Sequence, residues 1–176
     1  MKNTFSYSLL VLFAALTSCG ESMEIKQARL DSIQETYQNP WNETQAELIV
    51  GKPVRFSEAG ASDMNMWYSH SAKFVSDSAD SSGRLSSVEF TFLEFIVTDS
   101  AIRSYSLNKA YYQKEGPTEE IAGIGEEAFF QTDDSLFYFL MARKGSRELR
   151  IKSDSISVLA TKENFIAAAR QIMEAM

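Results

Sequence analysis

The sequence predicts an α+β fold, an antiparallel β-sheet packed with helices, and three observations carry that prediction. In residues 84–97, Val88, Phe90 and Phe92 fall on one side and Glu89, Thr91 and Leu93 on the other, the period of two that a strand shows. Strand-like runs come in adjacent groups broken by helical stretches, which argues against an alternating parallel fold. The last segment carries Phe165, Ala169, Ile172 and Met176 at helical spacing, a stripe that one face of a helix can bury. With 176 residues, 44% of them hydrophobic, the chain can build one core and one domain.

The first segment is of another kind. Lys2 is a lone positive charge, Leu9 to Leu16 is an unbroken apolar run, and small residues lead to Cys19. The run is far short of the roughly 20 residues that span a bilayer, and the layout is that of a cleaved export signal. Its tail, Leu16-Thr17-Ser18-Cys19, resembles the lipobox of bacterial lipoproteins. The resemblance implies cleavage after residue 18, acyl chains on Cys19, and a domain held at a membrane of the cell envelope. Gly20, where lipoproteins retained at the inner membrane often carry Asp, tilts the expectation toward the outer membrane. Two or three acyl chains, at about 0.8 kcal/mol per buried CH₂, would anchor firmly.

Residues 19–40 read as a tether, partly helical, with Ile25, Ala28, Ile33 and Tyr37 roughly on one face, and residues 41–176 as a single domain. Thr44-Gln-Ala-Glu47 has the pattern of a capping box, so a two-turn helix is expected there. Gly51 would close it, and Pro53 would lead into a strand at 54–56. Met64, Met66 and Tyr68 alternate, which predicts a strand over 63–75 with its Met and aromatic side chains in the core. The polar cluster 76–83 is a turn, and the strand after it makes a long hairpin. Thr98 or Asp99 would cap a helix to about Gln113, with Ile102, Tyr105, Lys109 and Tyr112 on one side and Gly116-Pro117 ending it. Short strands are expected at 126–131, 136–142 and 148–152. In the last, Leu149 and Ile151 would face the core and Glu148, Arg150 and Lys152 water. Thr161 opens the final helix.

The stretch Ile121-Ala-Gly123-Ile-Gly125-Glu-Glu-Ala128-Phe129-Phe130, followed by a strand, a Lys-Gly turn, another strand and an Ala-rich helix, resembles small bacterial lipoproteins of the Mog1/PsbP-like fold. Glu47-Leu-Ile-Val-Gly51-Lys-Pro53 fits the helix that opens such domains, and the resemblance spans roughly residues 44–176. One branch of that group has a cysteine where this chain reads Trp67-Tyr68-Ser69. The resemblance implies an antiparallel sheet covered by helices and no particular reaction. Gly123 and Gly125 precede a strand, not a helix, which favours a structural role over a phosphate cradle.

Net charge is −7, and losing Lys2 with the leader takes it from −7 to −8. An acidic body is repelled by phosphate backbones and anionic headgroups, so nucleic acid is not an expected partner. One cysteine allows no internal disulfide. His70 is the only histidine, so no zinc pair can form, and no Gly-x-Ser-x-Gly elbow presents a serine. Glu119-Glu120, Glu126-Glu127 and Asp133-Asp134 read as solvated turns rather than acid–base or calcium sites. No catalytic residue, metal ligand or cofactor is expected. Two groups stand out as a candidate binding surface: the soft aromatic run Met66, Trp67 and Tyr68, and Arg143, Lys144 and Arg147 from the only basic cluster, where an anion or headgroup would dock. The reading is a non-enzymatic, membrane-tethered module that binds a protein or small ligand in the envelope. The alternatives are an envelope hydrolase with an unrecognised site and a carrier with an apolar cavity.

Overall fold

The computed structural model describes residues 41–133, 136–154 and 159–176. The predicted leader, Cys19 and the predicted tether helix lie outside these residues. The described chain runs α1 (Glu43–Val50), β1 (Val54–Asp63), β2 (Trp67–Ser76), β3 (Ser87–Phe95), α2 (Thr98–Glu115), β4 (Thr118–Glu120), β5 (Glu127–Thr132), β6 (Phe137–Lys144), β7 (Arg147–Asp154) and α3 (Lys162–Ala175). The fold is α+β, as the sequence predicts. Seven strands form one sheet in the order β1-β2-β3-β7-β6-β5-β4, every neighbouring pair antiparallel.

Two meanders, β1–β3 and β4–β7, are stitched together where β7 pairs with β3. Counting reversals across the sheet, β3 and β4 run the same way. The chain therefore needs a crossover between them, and α2 supplies it by passing over one face. The helices α1 and α3 cover the other face, which makes three layers with the sheet in the middle.

Side-chain alternation loads those faces unequally. Ala72 and Phe74 of β2, Val88, Phe90 and Phe92 of β3, Leu149 and Ile151 of β7, Leu140 and Ala142 of β6, and Ala128 and Phe130 of β5 all point toward α1 and α3. They meet Ala46, Ile49 and Val50 of α1 and Phe165, Ala168, Ala169, Ile172 and Met173 of α3 in one buried cluster. Each large side chain removed from water there contributes about 1.5–3 kcal/mol. The α2 face holds two smaller clusters, Tyr105 with Phe129, Phe139 and Met141, and Ala101 with Leu93 and Phe95.

Several sequence-based expectations need correction. The capping box of α1 is built by Asn42 and Gln45, not by Thr44 and Glu47: the Asn42 N–H donates to Gln45 Oε1 (2.8 Å) and Asn42 Oδ1 accepts from the Gln45 N–H (3.2 Å). Neither Thr98 nor Asp99 caps α2, whose N-cap is Val97 without a side-chain hydrogen bond. On α2 the inward stripe is centred on Ala101 and Tyr105, and Ile102 lies exposed at its edge. Residues 63–66 are no part of a strand interior: Met64 to Met66 form the β1–β2 turn, with Asn65 at φ 64°. Both methionines are more than half exposed, at 53% and 56%, so they are not core. β1 extends to Asp63, well past residue 56. Glu148 does not face water; it is fully buried under α2.

Other expectations hold. Gly51 closes α1 in the left-handed region, and Thr161 Oγ1 caps α3 by accepting from the Asn164 N–H at 3.1 Å. At Gly125 (φ 59°) a Cβ would lie 2.4 Å from the Arg143 carbonyl oxygen, so no side chain fits where the chain turns into β5.

Candidate binding groove beneath helix α2

The α2 helix does not cover its face completely. Beside its first three turns lies a groove of about 430 Å³ that opens to solvent. Met66 of the β1–β2 turn, Trp67 at the start of β2, and Leu93 and Phe95 of β3 form its apolar wall. The Trp67 and Phe95 rings lie 5.9 Å apart and tilted, and both pack with Leu93 and Ala101. The helix supplies Ser100, Arg103, Ser104, Leu107 and Asn108, and β7 supplies Arg150. Leu107 is 62% exposed although apolar. The Ile96 N–H donates to the Met66 carbonyl at 3.1 Å, which brings the exposed Ile96 and Val97 to the same end of the sheet.

The polar side of the groove rests on an ion pair whose acid is buried and whose arginine is partly exposed. Arg150 Nη2 lies 2.9 Å from Glu148 Oε2, and the Glu148 side chain is fully buried. Ser104 also hydrogen-bonds that carboxylate. Burial pushes the Glu148 carboxyl above its ordinary range; Arg150, Ser104 and Arg143 oppose the shift without cancelling it. Glu148 Oε1 and Arg150 Nε are buried and find no hydrogen-bond partner among the described residues. Arg103 has no acidic partner among the described residues. Asn108 uses its amide to bond the Ser104 carbonyl at 2.8 Å.

The residues singled out from sequence scatter. Met66 and Trp67 line the groove. Tyr68 is on the other side of β2, paired in register with Asp63 and Glu94. Arg143 is buried at the far end of β6 between Glu126 (2.7 Å) and Glu127 (2.5 Å). Desolvation pulls its pKa down, but the hydrogen bonds to Glu127 and Glu126 outweigh that and raise it. Lys144 lines a separate cavity of about 300 Å³ with Glu126, Arg170 and Glu174. Arg147 bonds the Met176 carbonyl and lies 3.7 Å from Glu94. The basic run is thus distributed among acidic partners rather than gathered into one patch.

His70 is buried on the opposite face, stacked on Trp41 with ring centroids 5.5 Å apart. Burial lowers its pKa. Asp133 and Asp80 do turn work: Asp133 Oδ1 accepts from the Leu136 N–H, and Asp80 Oδ1 from the Ser82 and Arg84 N–H groups. Among the described residues no three His, Cys, Asp or Glu side chains converge as metal ligands, and no helix is long and apolar enough to cross a membrane.

Sequence reasoning missed Arg103 and Leu107 as groove residues, and it saw Arg150 only as a member of the basic cluster, facing water. The one signal present was Leu107, an apolar side chain off the helical stripe that Tyr105 and Tyr112 define. No family model matches the chain, and neither the curated proteins nor the solved structures give a match to it.

Proposed function

We propose that this chain is a lipid-anchored binding module of the cell envelope, tethered through acyl chains on Cys19, with the α2 groove as its binding site. The lipobox-like Leu16-Thr17-Ser18-Cys19 supports the anchor, and the Mog1/PsbP-like resemblance is compatible with the helix-covered antiparallel sheet. The observation that carries the binding reading is the groove itself: an apolar wall faced by a few fixed polar groups, the usual make-up of a small-ligand site. Glu148 is sealed behind Arg150, where no occupant of the groove can touch it. A carboxylate so placed holds the guanidinium rather than exchanging protons with a substrate, which favours binding over chemistry.

Two measurements on intact cells test this. An alkyne-tagged palmitate should label the full chain, and Cys19→Ala should lose the label. A neutral photoactivatable probe, a diazirine-bearing hexadecanol, should mark the peptides containing Met66 and Leu107. Leu107→Asp, an exposed position, should abolish that labelling without lowering stability. Labelling spread evenly over exposed Phe56, Leu136 and Leu159 would count against the groove.

A further inference from the structure

We infer that the groove takes a single-chain carboxylate, its alkyl chain along Trp67, Phe95 and Leu107 and its head between Arg103 and Arg150. The inference rests on the groove being the binding site and adds the class of ligand.

Charge is the first reason. The chain carries −7 overall, yet the residues lining the groove include two guanidinium groups and no carboxylate. Arg150 is balanced from behind by Glu148. Arg103 is exposed, and none of the ion pairs within 4.0 Å among the described residues involves it. Among the lining residues, Arg103 is thus a guanidinium held in no ion pair, and a monoanion is the ligand charge that complements it. A guanidinium meets a carboxylate through paired, charge-assisted hydrogen bonds.

Shape is the second reason. Apart from Arg150, the lining that the sheet side supplies, Met66, Trp67, Leu93 and Phe95, is apolar, and the exposed Ile96 adjoins Met66 through a backbone hydrogen bond. A polar ligand would leave that surface unused. At about 430 Å³ the groove lies near the lower end of ligand sites, which run from roughly 300 to 1,000 Å³. That is room for one chain, not two. The Glu148–Arg150 pair, with its carboxylate buried, fits the same reading. The buried carboxylate holds Arg150 at a fixed place, where an arginine free in solvent would pay side-chain entropy on meeting a ligand.

The test uses the full chain in native membranes and three photoactivatable hexadecyl probes that differ only in the head: carboxylate, alcohol and trimethylammonium. The carboxylate should mark the Met66 and Leu107 peptides about fivefold more strongly than the alcohol, and the ammonium probe least. Arg103→Gln should bring the carboxylate's labelling down to the level of the alcohol's in the same variant. Arg103 is exposed and makes no ion pair among the described residues, so the variant should fold. Equal labelling by carboxylate and alcohol in the unmodified chain, or a preference that survives Arg103→Gln, overturns the inference but leaves the groove as a site. Competition by hexadecyl phosphate stronger than by hexadecanoate overturns it in favour of a phosphate head. Labelling by none of the probes above the level of Leu107→Asp overturns both this inference and the groove reading.

Discussion

On the α1/α3 side of the sheet, Phe90 is stacked against Trp41 (5.6 Å, 8°) and edge-on to Phe74, with every large apolar residue around it buried. On the α2 side, Leu93 and Phe95 meet only the first turns of one helix, and next to them Met66 and Leu107 stand in solvent. Two helices close one face; one crossover helix, stretched from β3 to the distant edge strand β4, half closes the other. The first face is organised for stability. The second leaves apolar surface open beside a desolvated ion pair, an arrangement that lowers stability and that folding alone does not require.

The contrast is sharpest in large-to-small substitutions. Phe90→Ala, inside the closed face, should cost about 3–5 kcal/mol, from lost burial plus the cavity left behind. Leu107→Ala, in the groove, should change stability by no more than about 0.5 kcal/mol. Urea unfolding with an unchanged m-value reads both. A cost at Leu107 near that at Phe90 would mean that the groove is closed in solution, and the comparison between faces would fail.

A smaller effect is expected at the ion pair. Arg150→Met leaves Glu148 buried with only Ser104 to satisfy it, at a cost of about 2–3 kcal/mol at neutral pH. That is below the value for a fully buried pair because the Arg150 side chain is about a third exposed. The sign of the pH dependence follows from the raised pKa of Glu148. The protonated acid is the form the fold prefers, so stability is highest below the ordinary carboxyl value and is lost as pH rises through the raised one. The penalty of Arg150→Met should accordingly shrink on acidification. The double variant Glu148→Leu/Arg150→Met should recover most of the loss. Recovery of stability together with loss of carboxylate labelling would show that the pair serves the groove and not the fold.

What the sequence discloses, and what it conceals, divides along the same line. Period-two patterning at Val88, Phe90 and Phe92, and the stripe at Phe165, Ala169 and Ile172, announce the closed face because burial there is continuous along each element. β1 beyond Phe56 gives no such signal, since it is an edge strand exposed over most of its length. Met64 and Met66 alternate like a strand but flank a turn, where Asn65 takes the left-handed conformation. Alternation assigned Glu148 correctly to the face opposite Leu149 and wrongly to water, because a period of two names a face and is silent about what covers it. The groove was concealed more deeply. Trp67, Phe95, Arg103 and Arg150 come from four elements whose neighbourhood depends on the strand order, and no local spacing encodes that β7 inserts beside β3.

The weakest expected effect lies on the closed face, at its one buried histidine. His70 Nδ1 has no hydrogen-bond partner among the described residues, and the ring is stacked on Trp41. Burial pulls its pKa below the ordinary value of 6.5. The neutral ring is therefore the folded form, while the unfolded chain takes up a proton near 6.5. More protons are bound in the unfolded state across the window just below 6.5, so stability should rise with pH through it and fall as pH drops through the lowered value. Asp80, held at about 2 by Ser82 and Arg84, stays ionised throughout that window and does not confuse it. The variant His70→Phe keeps a ring against Trp41 and removes the proton. Thermal unfolding between pH 5.5 and 7 should then lose the rise with pH that His70 supplies, leaving the opposite trend that Glu148 contributes. In a Trp67→Phe background, where Trp41 is the remaining tryptophan, its fluorescence should report the same transition. An undiminished slope in His70→Phe would move the titration to other groups and leave the closed face electrically silent.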